Sequence, residues 1–132
     1  MKNSKSVAVL GGGSFGTVLA NLAASNGYNV SLWVRDSEQA LRINSEGANT
    51  TYHPELKLSK NIIASDNLKE VLNNKSIIFI ATPSIVFEQI VIRVSDYIDE
   101  KPYLVSCTKG ILDDPFRPLS DIISSKLNLS LI

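Results

Sequence analysis

One stretch decides the fold of this chain: Val7-Ala8-Val9-Leu10-Gly11-Gly12-Gly13-Ser14-Phe15-Gly16. The apolar run at its start predicts a buried strand, and the residues after the glycines predict a helix. Gly11, Gly13 and Gly16 fit the pattern G-x-G-x-x-G at the turn between these two elements. A glycine-rich turn without a ligand has the same letters, but a strand, turn and helix in register favour a dinucleotide-binding site.

Glycine is expected at each of these three positions for a different physical reason. Gly11 allows a tight turn, Gly13 lets the backbone approach a pyrophosphate without a Cβ in between, and Gly16 lets the helix pack closely on the strand. The N–H groups and the dipole of the helix N-terminus supply an anion site. We therefore expect Gly11, Gly13 and Gly16 to bind a dinucleotide cofactor.

Length and composition predict a single domain over residues 1–132. The chain has 132 residues, of which 44% are hydrophobic, so it can bury one core and has little left for a second. The formal net charge is zero and the charged residues are dispersed. Neither nucleic acid nor a membrane is therefore an expected partner.

Cysteine content predicts a reduced, intracellular protein, which we expect in the cytoplasm. Cys107 is the only cysteine, which excludes an intrachain disulfide, and no Cys/His cluster offers a metal site. Glycines interrupt the apolar stretch near the N-terminus, so we interpret it as strand and helix rather than as a secretory signal. No apolar run reaches the length of a membrane span.

Apolar periodicity predicts strands that alternate with helices. The predicted strands are 7–10, 29–34, 62–64, 76–81, 103–107 and 129–132. The predicted helices run from the glycine loop to a stop at Gly27 and over 37–46, 66–72, 83–98 and 117–127. Asp36 is expected to cap the second helix with Gln39 reaching back as a capping box, and residues 48–61 are expected to form a long loop.

This alternation predicts an α/β domain of the Rossmann type, doubly wound, with a mainly parallel sheet and helices on both faces. In such sheets a ligand binds outside the carboxyl ends of the strands, where the strand order reverses. The candidate site therefore comprises the loops after Leu10, Val34, Ala81 and Cys107.

Arg35 follows the second predicted strand, where domains selective for NAD usually carry an acid about 20 residues past the glycines. A guanidinium there can pair with a 2′-phosphate or stack on adenine, which favours NADP without excluding NAD. The alternative is an ordinary solvated arginine.

A resemblance to a known family rests on segments that occur in order along nearly the whole chain. They are Gly11-Gly12-Gly13-Ser14-Phe15-Gly16-Thr17, Leu32-Trp33-Val34-Arg35, Asn49-Thr50-Thr51-Tyr52-His53-Pro54, Thr82-Pro83-Ser84 and Thr108-Lys109-Gly110. The set resembles the bacterial-type NAD(P)-dependent glycerol-3-phosphate dehydrogenases, in this case their N-terminal domain.

The resemblance implies roles for particular residues. Those that match the family's cofactor contacts are Ser14, Phe15, Arg35, Tyr52, Pro83 and Lys109. Lys109 is also implied to contact the substrate. For Ser14 a helix cap is the alternative, for Phe15 and Tyr52 ordinary packing, for Pro83 helix initiation, and for Lys109 a solvated surface lysine.

Two residues depart from the family pattern. His53 stands where the family usually has an apolar residue, and Cys107 stands where alanine is common. A solvated histidine and a buried apolar cysteine suffice to explain them, so neither is assigned any chemistry.

The resemblance implies the interconversion of sn-glycerol 3-phosphate and dihydroxyacetone phosphate for phospholipid synthesis, with NAD or NADP as cofactor. The family's lysine base belongs to a helical domain that this sequence lacks, so we assign no catalytic residue and expect no turnover by the chain alone. A homodimer, or association through an uncovered apolar surface, remains open. Another Rossmann-type dehydrogenase and a non-catalytic dinucleotide-binding module are the alternatives, and Thr108-Lys109-Gly110 argues against the first.

Overall fold

The computed structural model describes residues 3–98, 102–107, 111–113 and 116–118, with side chains for 5–98 and 102–107. The strands are β1 (Asn3–Leu10), β2 (Asn29–Trp33), β3 (Ile62–Ser65), β4 (Lys75–Ile80), β5 (Tyr103–Ser106), β6 (Ile111–Asp113) and β7 (Phe116–Pro118). The helices are α1 (Ser14–Ser25), α2 (Ser37–Glu46), α3 (Leu68–Leu72) and α4 (Ser84–Ser95).

Five parallel strands form one sheet in the order β3-β2-β1-β4-β5. From β1 the chain moves to β2 on one side, and it later returns to β4 on the other side of β1. The strand order thus reverses between β1 and β4, where Leu10 pairs with Ile80. The predicted doubly wound, mainly parallel sheet is confirmed, and its ligand-binding crevice is expected at the carboxyl ends of β1 and β4.

Both faces of β1 are buried, which explains its continuous apolar run. Val7 and Val9 belong to the core cluster that includes residues of α1 and α2, whereas Ala8 and Leu10 belong to the cluster that includes α3 and α4. Successive side chains of a strand point to opposite faces, so every residue of this run must be apolar.

The two ends of α2 agree with the sequence. The Asp36 side chain accepts a hydrogen bond from the backbone N–H of Glu38, and Gly47 ends the helix in the left-handed region at φ 68°. Between them, the Asn44 amide covers the outer edge of β3: it donates to the carbonyl oxygen of Ala64 and accepts from the N–H of Ala64, both at 2.8 Å. This edge strand is thereby closed to further pairing.

The structure corrects several boundaries. β1 begins at Asn3 rather than at residue 7, the second strand ends at Trp33, and α4 covers Ser84–Ser95 instead of 83–98.

The helix predicted over 117–127 is wrong at its start, because Arg117 and Pro118 lie in β7, which pairs antiparallel with β6. Phe116 and Ile111 are of residue types that favour strands, so strand pairing prevails over the helix there. Strands and helices therefore do not alternate throughout. The rest of that predicted helix and the predicted strand 129–132 lie outside the described residues.

The buried side of β2 gives a direct test of the core. Leu32 is fully buried, so Leu32→Ala is expected to lower the free energy of unfolding by about 2–5 kcal/mol. Leu41 on α2 is 68% exposed, and Leu41→Ala, the matched control, is expected to stay within about 0.5 kcal/mol of wild type. Urea unfolding followed by circular dichroism measures both. Equal losses for the two variants would contradict this packing.

Candidate functional site

Gly11 and Gly16 are required by the packing of the protein itself. Gly11 has a φ of +122°, and a Cβ there would come within 2.6 Å of the carbonyl oxygen of Ala81 at the end of β4. A Cβ on Gly16 would collide with the carbonyl oxygen of Gly11. These glycines therefore let β1, α1 and β4 approach one another closely.

Gly13 is different, because nothing in the protein demands a glycine there. Its φ is −80°, and no heavy atom lies within 4 Å of where its Cβ would stand. It is the N-cap of α1 and, unlike Asp36 and Asn67 before the next two helices, it supplies no side-chain cap. Open space in front of uncapped helix N–H groups fits a bound anion such as a pyrophosphate.

The carbonyl oxygen of Gly12 is held from the protein side by two amide donors. Gln39 Nε2 donates to it at 2.9 Å and Asn49 Nδ2 donates to it at 2.8 Å. Gln39 therefore does not complete the predicted capping box with Asp36. Its side chain instead reaches the glycine loop, where Nε2 donates both to the Gly12 carbonyl oxygen and to Asn49 Oδ1.

Asn49 and Thr17 complete a network in which the Asn49 amide and the Thr17 hydroxyl donate their protons to oxygen atoms of the protein. Thr17 Oγ1 donates its proton to the carbonyl oxygen of Gly13 at 2.7 Å and accepts from Asn49 Nδ2 at 2.8 Å. Asn49 Oδ1 in turn accepts from Gln39 Nε2 at 3.3 Å. Asn49 is 2% exposed and Thr17 is fully buried, so these bonds form away from solvent.

Ser14 is the first residue of α1, and it does not cap the helix. Its hydroxyl oxygen lies 3.0 Å from His53 Nε2, which also lies 3.0 Å from the Ser14 carbonyl oxygen. A carbonyl oxygen can only accept, so the contact with the Ser14 carbonyl is a hydrogen bond in the tautomer that carries its proton on Nε2. His53 is half-buried in this contact rather than freely solvated.

Phe15 and Tyr52 are exposed to solvent by 59% and 49%, so core packing does not account for them. The hydrogen bond between Ser14 and His53 brings together the two segments that carry these aromatic side chains. Tyr52 also lines an open depression of about 360 Å³ together with residues 53–56. Both aromatic residues are thus available to a ligand near the start of α1.

The remaining predicted residues follow other strands of the sheet. Arg35 is exposed in the short connection between β2 and α2, and Pro83 is the N-cap of α4, which directly follows β4. The Pro83 carbonyl oxygen accepts from the N–H of Val86, as helix initiation requires. Cys107, at the end of β5, is half-buried, and this burial raises the pKa of its thiol. Lys109 lies outside the described residues.

Comparison with known proteins decides the family. Residues 6–131 match the family model for the N-terminus of NAD-dependent glycerol-3-phosphate dehydrogenase. The chain belongs to this family.

Curated relatives and a solved structure agree with this membership. The glycerol-3-phosphate dehydrogenase [NAD(P)+] of Alcanivorax borkumensis is 43% identical over 116 residues, which cover 88% of this chain and 34% of that protein. The enzyme of the same name from Acinetobacter baylyi is 42% identical over 96% of this chain and 35% of its own length. Glycerol-3-phosphate dehydrogenase from Coxiella burnetii superposes with a TM-score of 0.90 at 30% identity, covering 97% of this chain and 39% of that one.

The chain thus spans about a third of the length of the curated glycerol-3-phosphate dehydrogenases that it matches. Among its described residues, no group of three or more His, Cys, Asp or Glu side chains could hold a metal ion. Nor is any helix within the described ranges long and apolar enough to cross a membrane.

Three side chains at this candidate site could not be predicted from the sequence of this glycerol-3-phosphate dehydrogenase family member. The sequence indicates no contact for Asn49 or His53, and it predicts a helix cap for Gln39. Their partners Gly12 and Ser14 lie between 27 and 39 positions away in sequence, so no local pattern reveals the contacts. The loop assignment for residues 48–61 is confirmed, and its length was the one signal of a role at this site.

Measurements of stability distinguish a glycine that packing requires, Gly16, from one that packing does not require, Gly13. Gly16→Ala places a methyl group against backbone and is expected to lower the free energy of unfolding by about 1–3 kcal/mol. Gly13→Ala meets open space at an ordinary φ and is expected to cost less than about 1 kcal/mol, the loss of a glycine N-cap. Urea unfolding measures both. A Gly13→Ala variant as unstable as Gly16→Ala would show that the protein itself fills this space.

Proposed function

We propose that this chain is the cofactor-binding domain, residues 1–132, of a glycerol-3-phosphate dehydrogenase, and that NADP or NAD binds along the carboxyl ends of β1, β2 and β4. The observation that carries the proposal concerns Gly13. The position where its Cβ would stand is open space, and it lies at the N-terminus of α1, which has no side-chain cap. This N-terminus follows β1, where the strand order reverses. The chain's own packing gives no reason for that glycine, whereas a pyrophosphate gives one.

The residues proposed to hold the cofactor have distinct tasks. Backbone N–H groups from Gly13 to Gly16 bind the pyrophosphate, with Gly11 shaping the turn. Arg35 pairs with a 2′-phosphate, which makes NADP the slightly favoured cofactor. Ser14, Phe15, Tyr52 and Pro83 line the remaining contact surface, and Lys109, by its motif, contacts both cofactor and substrate.

The proposed reaction interconverts sn-glycerol 3-phosphate and dihydroxyacetone phosphate. When bound, the nicotinamide accepts or supplies the hydride that is exchanged at C2 of the substrate. The resemblance implies that the proton on the substrate oxygen is moved by a lysine outside this sequence, so the residues here bind and orient but do not transfer that proton. We propose a cytoplasmic enzyme whose product serves phospholipid synthesis, with a homodimer as the assembly to test.

Calorimetric titration of the 132-residue chain with NADPH and NADH tests the proposal without requiring turnover. We expect both to bind, and we expect Gly13→Ala to raise both dissociation constants tenfold or more, because its methyl group occupies the pyrophosphate's place. The stability of Gly13→Ala, measured beside it, separates blocked binding from unfolding. Absence of binding heat with either nucleotide, at protein and ligand concentrations up to millimolar, would overturn the cofactor role of this chain.

Arg35 determines the preference between the two cofactors. Arg35→Asp is expected to raise the dissociation constant of NADPH about tenfold or more, through lost charge-assisted hydrogen bonds and new repulsion, and to change that of NADH much less. Lys60→Asp, the matched control, makes the same charge change just before β3, at the amino ends of the strands rather than at their carboxyl ends. Equal losses for NADPH and NADH in Arg35→Asp would remove the 2′-phosphate role.

A further inference from the structure

The peptide that joins Gly12 to Gly13 is oriented from the protein side. Its carbonyl oxygen accepts from Asn49 and from Gln39, and Asn49 is 2% exposed. In a trans peptide the C=O and N–H groups point in opposite directions. Two donors that hold the Gly12 carbonyl inward therefore turn the N–H of Gly13 outward, away from Asn49.

This peptide needs a constraint because both of its residues are glycines. Glycine has nearly free access to both signs of φ, so a Gly-Gly peptide rotates about its flanking bonds at little steric cost. Rotation by half a turn would replace the outward N–H by a carbonyl oxygen, which repels an anion. Neither glycine has a side chain that could prevent this rotation, so the constraint has to come from elsewhere in the chain.

We propose that Asn49, assisted by Gln39, is a positioning residue that sets the Gly12–Gly13 peptide with its N–H toward the cofactor's pyrophosphate. This inference rests on the proposed function, and it assigns a task to residues outside the glycine loop. Asn49 comes from the loop after α2, and Gln39 comes from the first turn of α2 itself. The pyrophosphate-binding N–H is thus preorganised before any ligand arrives, which lowers the ordering cost of binding.

The orientation of the Asn49 amide follows from its partners. Thr17 Oγ1 gives its only proton to the Gly13 carbonyl oxygen, so it must accept from Asn49 and not donate to it. Nδ2 of Asn49 thus faces Thr17 and Gly12, and Oδ1 faces Gln39. An aspartate at position 49 could make neither donation, which explains why an amide is required there.

Asn49 also shapes the segment that carries Tyr52. Its backbone carbonyl oxygen accepts from the N–H of Tyr52 at 3.1 Å and from the N–H of His53 at 2.8 Å. These bonds use the main chain and survive replacement of the side chain. A side-chain variant therefore tests the Gly12 carbonyl contact while it leaves this turn its own hydrogen bonds.

The test compares Gln39→Met and Asn49→Ala with the control Asn44→Ala in the 132-residue chain. Gln39→Met removes one donor to Gly12 and keeps side-chain length, whereas Asn49→Ala removes the buried donor. Asn44 also makes two bonds to backbone, but to β3 rather than to the glycine loop. We expect the dissociation constant of NADH to rise about threefold in Gln39→Met and about tenfold in Asn49→Ala. We expect Asn44→Ala to lose stability without a change in affinity.

A second readout reports the peptide itself. Relaxation dispersion of the ¹⁵N-labelled Gly13 amide is expected to show microsecond-to-millisecond exchange in Asn49→Ala, weaker exchange in Gln39→Met, where Asn49 still donates to Gly12, and none in wild type. A purely structural role for Gln39 would lower stability and leave this exchange unchanged. If Asn49→Ala does not fold, Gln39→Met carries the test alone.

Failure of this inference differs from failure of the cofactor proposal. Wild-type chain that binds NADH, with both Asn49→Ala and Gln39→Met binding equally well and showing no Gly13 exchange, overturns the positioning role and keeps the cofactor site. Wild-type chain that binds neither nucleotide overturns the cofactor site. In that case the Gly13 exchange in Asn49→Ala and Gln39→Met still decides whether these side chains hold the peptide.

Discussion

The close approach of Gly16 to the carbonyl oxygen of Gly11 is the contact on which the rest of the structure depends. It allows α1 to begin directly above the end of β1, and the positive φ of Gly11 turns the chain into that position while Gly11 passes the end of β4. Backbone lies against backbone here, so no side chain larger than hydrogen can be accommodated. The helix N-terminus consequently stands over the reversal of strand order, where a parallel sheet offers a crevice.

Consecutive glycines in this loop serve different purposes. Gly11 and Gly16 satisfy the protein's own packing, and Gly12 leaves room for Val34, with which a Cβ would collide. Gly13 alone faces empty space. A single run of small residues thus combines the contacts that build the domain with the opening that a ligand can use, and the family membership of the chain agrees with that division.

Polar side chains from distant segments fix the conformation of the glycine loop, which the glycines themselves do not fix. A glycine loop is permissive, and its conformation has to be selected by hydrogen bonds to its carbonyl oxygens. Thr17 from within the motif bonds to Gly13, whereas Gln39 and Asn49 reach Gly12 from α2 and the following loop. The long loop after α2 is therefore part of the architecture of the site, and Tyr52 and His53 are brought beside α1 as a consequence.

The sequence by itself determined the order of the strands and helices from β1 to β5 and the parallel sheet, because these follow from apolar periodicity and from the local conformations that Gly11, Asp36 and Gly47 adopt. It also located Arg35 after β2, since strand ends are local features. It could not predict the hydrogen bond from Gln39 to Gly12, the contact between His53 and Ser14, or the antiparallel pairing of β6 with β7 at the start of the predicted helix. Only the tertiary structure decided those outcomes. The hydrogen-bonding partners are up to 39 residues apart in sequence, and only folding brings them within hydrogen-bond distance.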